Sequence, residues 1–113
     1  MPIAVSVPAP KPELANGVPV TGLSGAIGSQ THYRLEVPAG ATSVTFQLAG
    51  GTGDADIFVK RGTEASQVVF DCASANAANN ETCTINAPQA GTWYVNIVAF
   101  AAYSGTTLTG SYQ

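Results

Sequence analysis

Two aspartates two residues apart, Asp54 and Asp56, are the acidic pair in this chain most suited to chemistry. They sit in the run GGTGDADIFV, where a glycine-rich turn leads into a short apolar alternation. In an extended strand, alternate side chains leave the same face, so both carboxylates point one way and Ala55, Ile57 and Val59 point the other. A pair of this kind supplies oxygen ligands for calcium, which takes six to eight oxygens and accepts backbone carbonyls among them. Calcium is therefore a candidate ligand at Asp54 and Asp56, and no cofactor is required. The alternative is structural: one aspartate caps the amides of the turn and the other hydrogen-bonds a neighbouring group. Acid–base hydrolysis is excluded, because two side chains on one strand cannot oppose each other across a scissile bond.

A second group lies in the run TWYVNIVAF. If Val95 and Ile97 face the core, then Tyr94, Asn96, Val98 and Phe100 share the other face, and Tyr103 follows in AYSG. Exposed together, they form an amphipathic strip suited to ligand contact; the alternative is that these aromatics pack under a loop or a second sheet. Trp93 falls in the inward set. The single histidine, His32, alternates onto an outward face beside Arg34 and Glu36 and reads as a solvated residue. One histidine, and serines outside any nucleophile elbow, leave no hydrolytic triad to assemble. The glycine run opens a strand rather than a helix and lacks the Lys-Ser/Thr of a phosphate loop. The chain reads as non-catalytic.

The elements that position these residues are strands. Tyr33, Leu35 and Val37 alternate with His32, Arg34 and Glu36, and Val44, Phe46 and Leu48 alternate with Thr45 and Gln47. Further strands are predicted over 18–23, 54–61, 67–72, 82–86, 92–100 and 106–112, with Gly, Pro or Asn between them. About eight short strands without helical periodicity predict an all-β domain. An antiparallel β-sandwich of jelly-roll type is expected, with a closed barrel as the alternative.

Composition bounds the rest. Charged residues make up 10 % of the 113 and the net charge is −3, against roughly 25 % charged in an ordinary soluble domain. Four basic residues cannot form a nucleic-acid footprint. No stretch reaches the roughly 20 apolar residues of a membrane span. The two cysteines, Cys72 and Cys83, flank an Ala/Asn/Ser-rich loop. A disulfide between them would contribute about 3 kcal/mol and imply an oxidising compartment; two buried thiols are the alternative. Residues 1–13 hold four prolines, lack the features of a signal peptide, and read as an interdomain linker to a β-domain over 14–113. A monomer is expected.

The segments GVPVTGLSG, GDADIFV, FDC, NNETCTI, AGTWYV and AYSG, in that order, resemble the bacterial pre-peptidase C-terminal domain over about residues 14 to 113. The resemblance implies a secreted, non-catalytic β-sandwich attached in cis to an extracellular hydrolase, most often a protease. Such domains are often removed after secretion, and some help the enzyme hold insoluble protein. Clostridial collagen-binding domains look like relatives, with calcium near the linker and an aromatic-rich binding face; here the linker carries only one acidic residue, Glu13. The function expected is an accessory domain that binds insoluble protein substrate such as collagen. A secretion or folding appendage, or a carbohydrate-binding sandwich, is the alternative.

Overall fold

The computed structural model describes residues 12–113 and places seven strands among them. The expected linker over 1–13 lies outside the described residues, apart from Pro12 and Glu13. The strands are β1 (Val20–Gly25), β2 (Gln30–Val37), β3 (Ser43–Ala49), β4 (Thr52–Arg61), β5 (Cys72–Ser74), β6 (Glu81–Asn86) and β7 (Gly91–Tyr112). They pair antiparallel throughout. One layer runs β2-β7-β4-β5 and the other β1-β7-β3-β6, so β7 belongs to both. This is the expected antiparallel sandwich, closed along one corner like a barrel.

Alternation places the core. Val44, Phe46 and Leu48 of β3 and Ala55, Ile57 and Val59 of β4 are fully buried, facing Val95, Ile97 and Leu108 of β7. Each is an apolar residue, most of them β-branched or aromatic, on the inner side of a pleated strand, where removing its surface from water stabilises the fold. Trp93 joins them, 4 % exposed, with its indole N–H donating to the Gln89 carbonyl at 3.0 Å.

Three strand expectations are corrected. The two predicted final strands are one, because residues 101–105 stay extended while β7 bends from the first layer into the second. The first strand lies two residues later than the expected 18–23. The run Gln67–Asp71 is a loop: Ser66 Oγ accepts from the amides of Val68 and Val69 at 3.3 and 3.0 Å, taking backbone donors that a ladder would need. Pairing with β4 resumes only where the Asp71 amide reaches the Val59 carbonyl at 2.7 Å.

The cysteines are bonded. Cys72 in edge strand β5 and Cys83 in edge strand β6 lie 6.0 Å apart at Cα and tie the two layers together.

Candidate functional site

The site is built on the outer face of the first layer. Residues of β4 and β7 meet there in register, with Asp56 opposite Val98, Phe58 opposite Asn96 and Lys60 opposite Tyr94. Asp54 and Asp56 line one groove, while Ala55, Ile57 and Val59 are buried on the opposite side of the strand.

The start of β4 is held tightly. Cβ atoms at Gly51 and Gly53 would run into the carbonyl oxygens of Ser104 and Ala102, and both residues have positive φ, +75° and +92°. Only glycine lets β4 cross the bend of β7 this closely. The amide of Ala55 is taken by Asn79 Oδ1 at 2.8 Å, and Asn79 Nδ2 donates to the carbonyls of Gly50 and Thr52 at 3.0 and 2.9 Å. Asn79 is 3 % exposed. The residue that caps this turn is therefore Asn79, not an aspartate.

The expected strip on β7 is not continuous. The loop over 62–71 crosses the outer face: Asn96 Nδ2 donates to the Ala65 carbonyl at 3.2 Å and to Gln30 Oε1 at 3.0 Å. Phe70 packs on Phe58 with ring centroids 5.5 Å apart. Asn96, beneath the loop, and Val98 are both buried. Tyr103 is buried as well: three residues beyond Phe100 on the same strand it falls on the inward side, its ring against Gly25. Of the five candidates, Tyr94 is half-buried and Phe100 alone stands out, 72 % exposed. The same loop covers His32, which we expected in solvent; its Nε2 lies 3.7 Å from the Glu64 carboxylate.

What remains open is a groove of about 520 Å³ lined by Asp54, Asp56, Phe58, Gln67, Asn76 and Phe100, with Ala75 and Ala77 at its side. Below it lies Glu81, fully buried, whose carboxylate accepts from the Asn76 amide at 2.6 and 2.9 Å and from Ser74 Oγ at 3.4 Å. The inner oxygens of both aspartates, Oδ1 in each, are buried without a hydrogen-bond partner. Desolvation, then the negative charges of Asp54 and Glu81, push the Asp56 carboxyl up to about 6. Burial also raises Glu81, against the lowering effect of its bonds from Asn76 and Ser74. Among the described residues, no group of three or more His, Cys, Asp or Glu side chains is arranged to hold a metal. The groove combines unneutralised negative charge with aromatic walls, a setting that favours a cation with apolar surface.

Residues 30–99 match the model of the bacterial pre-peptidase C-terminal domain. The chain is 41 % identical over 107 residues to the alkaline serine exoprotease A of Vibrio alginolyticus, covering 93 % of this chain and 20 % of that protein. It is 44 % identical over 99 residues to an extracellular protease of Xanthomonas campestris, covering 88 % and 17 %. With a zinc metalloprotease of Helicobacter pylori it shares 39 % identity over 95 residues, covering 84 % and 37 %. The chain thus spans less than two fifths of the length of these relatives. The solution structure of vEP C-ter 100 superposes with a TM-score of 0.71 at 34 % identity, covering 87 % of this chain and 96 % of that one. The pre-peptidase C-terminal domain of a Bacillus anthracis collagenase shares the fold, with a TM-score of 0.69 at 12 % identity, covering 95 % and 100 %.

Proposed function

This chain belongs to the bacterial pre-peptidase C-terminal domain family, and we propose that it is the non-catalytic accessory domain of a secreted bacterial protease, holding the enzyme on insoluble protein such as collagen. One observation carries the reading: the chain accounts for a small fraction of relatives named as serine and zinc proteases alike. A module found beside different catalytic chemistries supplies something other than the chemistry. The disulfide fits the oxidising surroundings of a secreted protein. Tethering even a weak binder to a catalytic domain raises the local concentration of enzyme at a surface.

The test is sedimentation of the chain with insoluble collagen, beside chitin and cellulose, in calcium and in EDTA. Saturable retention on collagen supports the reading. Retention on chitin or cellulose alone overturns it in favour of a carbohydrate-binding sandwich. No retention on any solid overturns it in favour of a secretion or folding appendage. Loss of retention in EDTA makes Asp54 and Asp56 candidate calcium ligands again.

A further inference from the structure

The outer groove of the first layer carries more than its acidic floor. Phe58 and Phe100 both line it, and Phe100 leaves 72 % of its surface in water. Gln67 also lines it, and the next three residues of that loop, Val68, Val69 and Phe70, are 85 %, 54 % and 44 % exposed. Through the Phe70–Phe58 ring contact, this apolar rim is continuous with the wall of the groove. A contiguous exposed apolar patch on a small domain marks a contact surface. Its volume falls within the roughly 300–1,000 Å³ of ligand-sized clefts.

Charge selects the occupant. Asp54 and Asp56 both line the groove, and no Lys or Arg does. The described basic side chains are engaged elsewhere. Arg34 lies 3.0 Å from Glu36 and 3.7 Å from Glu13, Lys60 lies 3.8 Å from Asp71, and Arg61 Nε donates to the Ala90 carbonyl at 2.8 Å. Asp56 holds its proton to about pH 6 because burial and the neighbouring Asp54 and Glu81 oppose a second negative charge. An incoming positive charge relieves that opposition. A metal ion is hydrated and gains little from phenyl walls, whereas a guanidinium stacks on aromatic faces, binds carboxylates through a planar fork and carries an apolar stem.

We propose that the groove between Phe58 and Phe100 docks an arginine side chain of the protein to which the domain binds, with Asp54 and Asp56 facing the guanidinium. The inference rests on the reading of the domain as a protein-binding module and names the chemistry of one subsite. Phe58 and Phe100 provide the stacking walls. The loop residues Val68 to Phe70 extend the contact along the flanking chain of the bound segment. Deprotonation of Asp56 makes occupancy stronger above pH 6 than below it.

The experiment is a ¹⁵N–¹H correlation titration of the chain with N-acetyl-arginine methylamide, its citrulline counterpart, N-acetyl-lysine methylamide and calcium chloride, at pH 7.5. Saturable shifts clustered at residues 54–58, 76–77 and 100 are expected with arginine and not with citrulline, which has the same shape without the charge. Phe100→Ala, an exposed position that leaves the core alone, should weaken binding about threefold to tenfold. The double variant Asp54→Asn/Asp56→Asn should abolish the preference for arginine over citrulline. Equal shifts with citrulline, shifts centred elsewhere, or no shifts at millimolar arginine overturn the proposal. Lysine binding as tight as arginine overturns the stacking argument, and stoichiometric calcium binding at the same residues makes the groove a metal site instead. Retention on collagen that persists unchanged in both variants overturns the groove and leaves the module reading standing. Arginine-selective shifts without retention on any insoluble protein overturn the module reading alone.

Discussion

Replacing Asp56 by Asn should make this domain more stable at alkaline pH and leave it unchanged in acid. In the folded chain the Asp56 carboxyl is pushed from its ordinary 3.8 up to about 6, by burial first and then by Asp54 on its own strand and Glu81 on β6. No Lys or Arg lines the groove to offset them. A group whose pKa rises on folding holds its proton more tightly in the folded state. Its contribution is complete below about pH 4 and is lost as pH rises through about 6. The full shift corresponds to at most about 3 kcal/mol, and solvent reaching a half-buried carboxyl reduces this to about 1–2 kcal/mol. Asn keeps the shape, carries no charge, and brings an amide donor toward the unpartnered Asp54 Oδ1. Urea unfolding followed by the fluorescence of Trp93, in EDTA across pH 3.5 to 8, reads the difference directly. The variant should exceed the parent by about 1–2 kcal/mol at pH 8 and match it at pH 3.5. A variant less stable than the parent at pH 8, or a difference that does not vary with pH, refutes the electrostatic account of the groove.

Two further substitutions, each beside a control, test the glycine turn that aims the pair. Gly53→Ala puts a Cβ into the Ala102 carbonyl at a φ of +92°, and should cost about 2 kcal/mol or more in thermal unfolding, whereas Gly62→Ala, with open space around it, should lose only the positive-φ strain of about 1 kcal/mol. Asn79→Ala strands the Ala55 amide and takes a donor from the Gly50 and Thr52 carbonyls, of which Gly50 keeps the Thr106 hydroxyl at 3.2 Å, and should cost about 2–4 kcal/mol in urea unfolding. Its exposed neighbour, Asn80→Ala, should fall within about 1 kcal/mol of the parent.

Much of the fold could be read from alternation, because β3 and β4 each bury one face and the residues there must alternate. Val44, Phe46 and Leu48, and Ala55, Ile57 and Val59, lie where period two puts them. Alternation describes one strand at a time, however, and is silent on what covers the outer face. The burial of Asn96 depends on a distant loop, whose apolar run Val68–Phe70 itself looks like a strand until Ser66 captures its amides. Asn79 and Glu81 are equally hidden in the sequence. They sit in a run of asparagines and alanines where polarity suggests solvent, and only the approach of β4 to Asn79 and of Ser74 and Asn76 to Glu81 makes them buried partners. Tyr103 falls between the expected strands; once β7 runs through it, its odd spacing from Phe100 sets it inward with Val95 and Ile97, away from the strip it was expected to extend. The acidic pair was legible as a pair; its aromatic walls were not, since Phe58 and Phe100 stand on different strands and only the pairing of β4 with β7 brings both to one groove.

The claim that this domain holds a protease on insoluble protein is tested most directly in the full-length parent enzyme, with and without residues 14–113. Digestion of insoluble collagen fibres should be compared with turnover of a soluble peptide at equal active-site concentration. The account predicts unchanged turnover of the peptide and a clear loss of fibre digestion on deletion, restored when the domain is fused back. Equal loss on both substrates, or no loss on the fibres, contradicts it.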